Sequence, residues 1–200
     1  MAQGPRGLDP AKLVFIDESG AKNNITRLRG QRVHAAALGG HWRTTTMISS
    51  IRVVGSTACM TIGGATDTQV FRTYVERILC PGLAKGDIVV MDNFAPHKAA
   101  VAQELITAAG AEIRFLPAYS PDLNPIEKMW SKIKAHLRKM EARSVDELDN
   151  AIAAALGLVT AKVARGWFAS CGYSFLQNTL VRSLEWRQEL PGEIRPWVEG

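Results

Sequence analysis

Two short apolar runs, each closed by an aspartate, constrain this chain more than any other feature: Leu13-Val14-Phe15-Ile16-Asp17 and Ile88-Val89-Val90-Met91-Asp92. Each reads as a core strand that ends in an acid. After the second comes a helix from about Lys98 to Ala109, stopped by Gly110, and then a strand over 112–116. A strand–helix–strand unit makes its two strands parallel. Between the runs, strands are expected at Arg32–Leu38, at Thr44–Val54 with its β-branched residues, and at Ala58–Ile62, with turns at Gly39-Gly40 and Gly63-Gly64. Consecutive strands of this kind suggest an antiparallel meander. A helix follows, with Thr66 and Gln69 in capping-box spacing, an apolar stripe through Phe71, Tyr74, Val75 and Ile78, and Pro81-Gly82 as its end. The order β-β-β-α-β-α-β-α describes an α/β protein: a mixed sheet with helices on its faces. Acids at strand ends belong at the carboxyl edge of such a sheet, where ligands bind.

The stretch Phe115-Leu116-Pro117-Ala118-Tyr119-Ser120-Pro121-Asp122-Leu123-Asn124-Pro125-Ile126-Glu127 runs from strand through a proline-punctuated turn into a helix. Asn124 suits the N-cap, Pro125 the first helical position, and Glu127 falls third. Ile126, Met129, Trp130, Ile133, Leu137 and Met140 form the apolar stripe of that helix. Taken alone, Glu127 fits a capping box. Beside Asp17 and Asp92 it completes a set of three carboxylates. Ser144 and Glu147 cap a further helix with Leu148, Ile152, Leu156 and Val159 inward, and a last helix is expected near 161–170. Residues 174–200, with Pro191 and Pro196, lose periodicity and read as a tail of uncertain order.

Three carboxylates brought to one point repel; at about 4 Å and an effective dielectric near 20, each pair costs roughly 4 kcal/mol. Either a shared proton or a divalent cation must sit among them. An all-oxygen donor set favours Mg²⁺ or Mn²⁺, and no His or Cys spacing speaks for zinc. Two such ions about 3.5–4 Å apart activate a water or a DNA 3′-hydroxyl and stabilise the departing oxygen. Asp17 is the expected bridge, with Asp92 and Glu127 each holding one ion.

Composition adds little. A hydrophobic content of 46% supports a core, and a net charge of +5 is compatible with a polyanionic partner without requiring one. The three cysteines, Cys59, Cys80 and Cys171, show no pair spacing and read as free thiols in a reducing compartment. There is no apolar run of membrane-spanning length and no apolar signal region, so a cytoplasmic protein with no membrane partner is expected.

The segments Phe15-Ile16-Asp17-Glu18-Ser19-Gly20, Val90-Met91-Asp92-Asn93 with Pro96-His97-Lys98, and Tyr119 to Glu127 together resemble the catalytic domain of a DDE transposase, of the bacterial insertion-sequence-six-thirty type within the mariner superfamily. The 34 residues from 93 to 126, between the second and third acids, are the spacing of that group. The resemblance covers about residues 12–173. It implies a ribonuclease H-like, five-stranded mixed sheet flanked by helices on both faces, with residues 1–173 as one catalytic domain. It further implies two Mg²⁺ ions (Mn²⁺ substituting), metal ligation and catalysis by Asp17, Asp92 and Glu127, cleavage at transposon ends and insertion at a TA dinucleotide. The partners implied are double-stranded DNA and, in the synaptic complex, a second copy of the chain; nucleoid association follows from DNA binding. The family normally carries N-terminal helix-turn-helix modules, whereas this chain starts directly before its first catalytic strand. That start reads as a catalytic fragment or the second half of a frameshifted element.

Among lesser residues, His97 and Lys98 open a helix just after Asp92. His97 is expected either to approach the scissile phosphate or order the loop, or to be a solvated helix-start residue. Glu18 points away from Asp17 by strand alternation and is not counted as a ligand. Asn93 is placed by turn chemistry or by a bond to Asp92. Lys134 and Arg138 share the Glu127 face of a helix that also bears Lys128, Lys132 and Lys139; DNA phosphates or plain solvent are equally good partners. Arg43, in His41-Trp42-Arg43, is a further candidate DNA contact. Trp130 and Trp167 read as core. A DNA-binding remnant without catalysis is the competing function. A phosphatase with an Asp nucleophile is set aside, because position 19 is Ser where a second Asp is wanted.

Overall fold

A computed structural model describes residues 8–22, 44–142 and 144–173. Its strands are β1 (Leu13–Lys22), β2 (Thr44–Arg52), β3 (Gly55–Gly63), β4 (Ile88–Met91) and β5 (Glu112–Phe115). They form one sheet in the order β3-β2-β1-β4-β5. β1 and β2, and β2 and β3, pair antiparallel, which is the expected meander. β4 pairs parallel to both β1 and β5, as the intervening helix requires. The expected strand at 32–38 and the candidate contact Arg43 lie outside the described residues, as do residues 174–200.

β1 is the central strand, and Leu13, Val14, Phe15 and Ile16 are each at most 1% exposed. Alternation divides them between two cores. Leu13 and Phe15 join Met47, Ile51 and Val90 beneath α3 (Pro125–Met140), α4 (Val145–Gly157) and α5 (Ala161–Ser170). Val14 and Ile16 join Ile48, Val89 and Met91 beneath α1 (Thr68–Tyr74) and α2 (Ala100–Ala108). Helices therefore cover both faces. Phe15 meets Phe168 at 5.4 Å and Tyr173 at 5.1 Å, edge to face, which fastens α5 to the central strand. Truncating a buried aromatic of this kind costs about 3–5 kcal/mol.

Local signals explain the element ends, with some corrections. The α1 cap is Asp67, whose side chain accepts from the Val70 N–H at 2.8 Å, and not Thr66. The helix then widens into a π turn over Val75–Leu79 before Pro81 ends it. The segment after β4 is a 3₁₀ turn, Ala95–Lys98, so α2 starts at Ala100 and not at Lys98. Asn124 occupies the N-cap position of α3 but its side chain makes no capping hydrogen bond. Met140 is 53% exposed at the end of the stripe, where Glu141 turns left-handed and stops the helix. The Ser144–Glu147 capping box is present in full. Trp130 is core; Trp167 is only partly buried, packed against the core's edge. Among the described residues no single helix is long and apolar enough to cross a membrane.

Candidate active site

Parallel pairing of β1 and β4 sets the site's geometry. Leu13 pairs with Ile88, Val14 with Val89 and Phe15 with Val90. Carried two residues further, the same offset brings Asp17 level with Asp92, just past the end of β4 at Met91; β1 does not end at its acid as the apolar run suggested but continues, paired with β2, to Lys22. β5 lies on the other side of β4, with Met91 paired to Phe115. The loop leaving β5 is tied back twice: Leu116 N–H donates to the Met91 carbonyl at 2.8 Å, and Asn93 Nδ2 donates to the Leu116 carbonyl at 2.8 Å. Asn93 thus braces the loop that delivers Glu127 and does not bond Asp92. At the loop's far end, Tyr173 Oη donates to the Leu123 carbonyl at 2.9 Å, one turn before Glu127. Ile126, Met129 and Trp130 then bury α3 against the face that Phe15 and Asp17 share, while Glu127 stays exposed in its first turn.

Asp17 senses the other two acids. Burial pushes the Asp17 carboxyl up to about 7, against the lowering effect of the Glu18 backbone N–H, and the charges of Glu127, Glu18 and Asp92 add to the rise. Asp92 moves the other way: a hydrogen bond from His97 outweighs its partial burial and holds it below the usual carboxylate range. Neighbouring carboxylates whose affinities for protons are driven apart mark a functional site more often than a structural one. Among the described residues, no Lys or Arg ion-pairs with Asp17, Asp92 or Glu127. Nor, among the described residues, do three His, Cys, Asp or Glu side chains converge closely enough to form a ready metal cage.

His97 departs from the expected solvated or phosphate-facing residue. Its side chain is 0% exposed and both ring nitrogens are engaged, Nδ1 with Asp92 Oδ1 at 2.6 Å and Nε2 with Glu18 Oε1 at 3.0 Å. Phe71 packs on the ring at 4.5 Å and Phe94 meets it edge-on at 5.5 Å. Burial alone would lower its pKa, but the hydrogen bonds it makes to Asp92 and Glu18 reverse that and raise it to about 9. The ring is held between two carboxylates, with no nitrogen left for DNA. Glu18 is the residue that strand alternation set aside. Alternation does send it to the opposite face from Asp17, and that is the face on which His97 lies. No local pattern in the sequence joins Glu18 to His97, which are 79 residues apart.

The fit to a divalent ion is good in donor type. Asp92 accepts from Phe94 N–H at 2.9 Å and from His97, both on Oδ1, and among the described residues no partner takes Oδ2. Asp17, Asp92 and Glu127 offer oxygen donors of the hard type that divalent ions such as Mg²⁺ take. Of the candidate DNA contacts, Lys98 is exposed at the end of the 3₁₀ turn, and Lys134 and Arg138 are half-buried on α3. A separate open groove of about 650 Å³ between α3 and α5 is lined by Lys128, Lys132 and Trp167.

A five-stranded mixed sheet in this order, with helices on both faces, is the ribonuclease H-like architecture. The chain belongs to the DDE superfamily endonucleases, whose family pattern matches residues 12–149. No curated protein matches it in sequence. Among solved structures it resembles the protein of the pre-cleavage Mos1 transpososome, at 15% identity and a TM-score of 0.67 over 89% of this chain and 57% of that one. The catalytic domain of Mos1 mariner transposase matches at 14% identity and TM-score 0.63, over 87% and 82% of the two chains. The Mos1 catalytic domain with raltegravir and Mg matches at 15% and 0.64, over 89% and 86%. The chain therefore spans little more than half the length of the transpososome protein, and most of the isolated catalytic domain.

Proposed function

We propose that this chain is the catalytic domain of a DDE transposase, cutting DNA at transposon ends and joining it to a target. The observation that carries the reading is the strand register that sets Asp17 level with Asp92, with Glu127 near enough to perturb Asp17. The ligands assigned to the metal are Asp17, Asp92 and Glu127. When bound, divalent ions, two Mg²⁺ with Mn²⁺ as substitute, supply Lewis acidity to the attacking water or 3′-hydroxyl and to the departing oxygen. The protein's own part is to hold three carboxylates on rigid elements at one sheet edge, where they order the ligand set and leave the phosphodiester accessible from solvent. The open edge suits a duplex substrate, and Lys98, Lys134 and Arg138 are assigned to its phosphates.

The 34-residue interval before Glu127 supports assignment to the insertion-sequence-six-thirty type, with a TA target, transposon-end and target DNA as partners, a homodimer in the synaptic complex, and work in the bacterial cytoplasm at the nucleoid. On this reading residues 1–173 are the catalytic domain. Purified protein with Mn²⁺ and duplex carrying inverted-repeat ends should yield strand breaks that Asp92→Ala abolishes. Equal cutting by that variant would defeat the proposal. A second reading, a DNA-binding remnant without catalysis, is favoured by the spacing of the acids, which falls short of a closed cage. It requires salt-sensitive DNA retention with no cleavage under any divalent ion.

A further inference from the structure

We propose that Glu18 is a positioning residue for Asp92, acting through His97: a buried carboxylate–imidazole–carboxylate chain fixes the Asp92 side chain and reserves its Oδ2 for the ligand shared with Asp17 and Glu127. The inference rests on the metal-dependent reading above and deepens it.

Three observations carry it. The first is completeness. His97 is gripped at both nitrogens, at 2.6 Å and 3.0 Å, between the rings of Phe71 and Phe94, and has no exposed surface. Without Glu18, its Nε2–H becomes a buried donor with no partner, and the ring loses the contact that fixes its tilt. The second is where the chain ends. Both bonds to Asp92, from His97 Nδ1 and from Phe94 N–H, land on Oδ1. That selection of one oxygen is what a monodentate metal ligand needs from its surroundings, and groups that orient ligands in this way typically change affinity 10–100-fold when removed, by about the same measure here. The third is the strand. Asp17 and Glu18 are consecutive in β1 and point to opposite faces, so one stretch of the central strand provides an expected ligand on the α3 side and the support for a second ligand on the α1 side. Stability alone does not call for the arrangement, because buried ionic groups are seldom better than apolar packing of equal volume. An apolar pair at positions 18 and 97 would fill the same space beside Phe71.

The test uses the full chain and three variants. In ¹⁵N-histidine NMR, the His97 Nδ1–H in its short bond to Asp92 should give a downfield, exchange-protected proton. Glu18→Ala should remove that protection. The same variant should weaken Mn²⁺ binding, read by electron paramagnetic resonance, by about 10–100-fold. Glu18→Gln, whose amide oxygen still accepts from Nε2–H, should retain the protected proton and bind Mn²⁺ within about threefold of the parent. Should Glu18→Ala fail to fold, Glu18→Asp replaces it: one methylene short of Nε2, it should weaken binding where Glu18→Gln does not. The inference is overturned if the ring proton and Mn²⁺ affinity ignore Glu18, or if Glu18→Gln is damaged as badly as Glu18→Ala. If the parent chain binds no Mn²⁺, the metal-dependent reading fails instead, and the ring-proton signal still decides whether Glu18 holds His97.

Discussion

Two aspartates bracket β4, and the molecule treats them differently. Asp87, just before the strand, accepts from Arg52 Nη2 at 2.6 Å and from Ala84 N–H at 2.7 Å, while the same Arg52 nitrogen also reaches the Gly82 carbonyl at 3.0 Å. Despite its burial, these bonds hold the Asp87 carboxyl below its ordinary range. Asp92, just after the strand, has no guanidinium or ammonium partner among the described residues; His97 takes one oxygen, and among the described residues no partner takes the other. Five residues apart in the same strand frame, one acid is consumed by structure and the other is held ready. The difference lies in the partner. A permanently charged guanidinium saturates a carboxylate, whereas an imidazole anchored by a second carboxylate orients it and leaves a net negative site.

The contrast can be broken at either end. The largest effect is expected at Asp92: Asp92→Ala should lower DNA cleavage by at least about 10³-fold in a strand-nicking assay while the protein stays folded. Asp87→Ala should do the reverse. Stranding Arg52 should cost about 3 kcal/mol in urea denaturation, with cleavage per folded molecule unchanged. Saturating Mn²⁺, at about 100 times its Kd, should stabilise the parent by about 2.7 kcal/mol and Asp17→Asn by much less, measured by thermal unfolding.

Asp87 and Asp17 have opposite pH signatures. Asp87 is depressed on folding, so its contribution is present above about pH 4 and is lost as pH falls through the folded value. Asp17 is raised to about 7, so the folded state keeps a proton that the unfolded chain has lost; metal-free stability should decline as pH rises from about 4 to 7, and Asp17→Asn should flatten that decline. His97, raised to about 9, contributes fully below about 6.5 and loses that contribution as pH climbs through 9. The smallest expected effect is a control remote from both aspartates: Ser144→Ala, which breaks the α4 capping box, should cost about 1 kcal/mol and leave cleavage alone.

Much of the architecture was legible because it is periodic. The apolar runs ending in Asp17 and Asp92, the stripe on α3 and the glycine punctuation foretell the mixed sheet and the helices on its two faces. The legible errors were local. Thr66 and Asp67 are both capable caps, and only the placement of Val70 decides between them. Asn93 has several plausible partners until β5 is set beside β4. The Glu18–His97 contact joins residues 79 apart, and no local pattern announces it. Alternation told correctly that Glu18 leaves the Asp17 face, but what waits on the other side depends on how the Pro96-His97 turn packs over β1. Arg52 and Asp87, 35 apart, escaped notice for the same reason.

The central claim, that Asp17, Asp92 and Glu127 serve one divalent ion site, is tested most directly by anomalous diffraction from crystals of the chain soaked in Mn²⁺. The account predicts a manganese peak bonded to Oδ2 of Asp92 and to the Asp17 carboxylate, with Glu127 drawn in to the same site and His97 still on Oδ1. Manganese density elsewhere, or none at this edge under saturating Mn²⁺ with the three acids still apart, would contradict it.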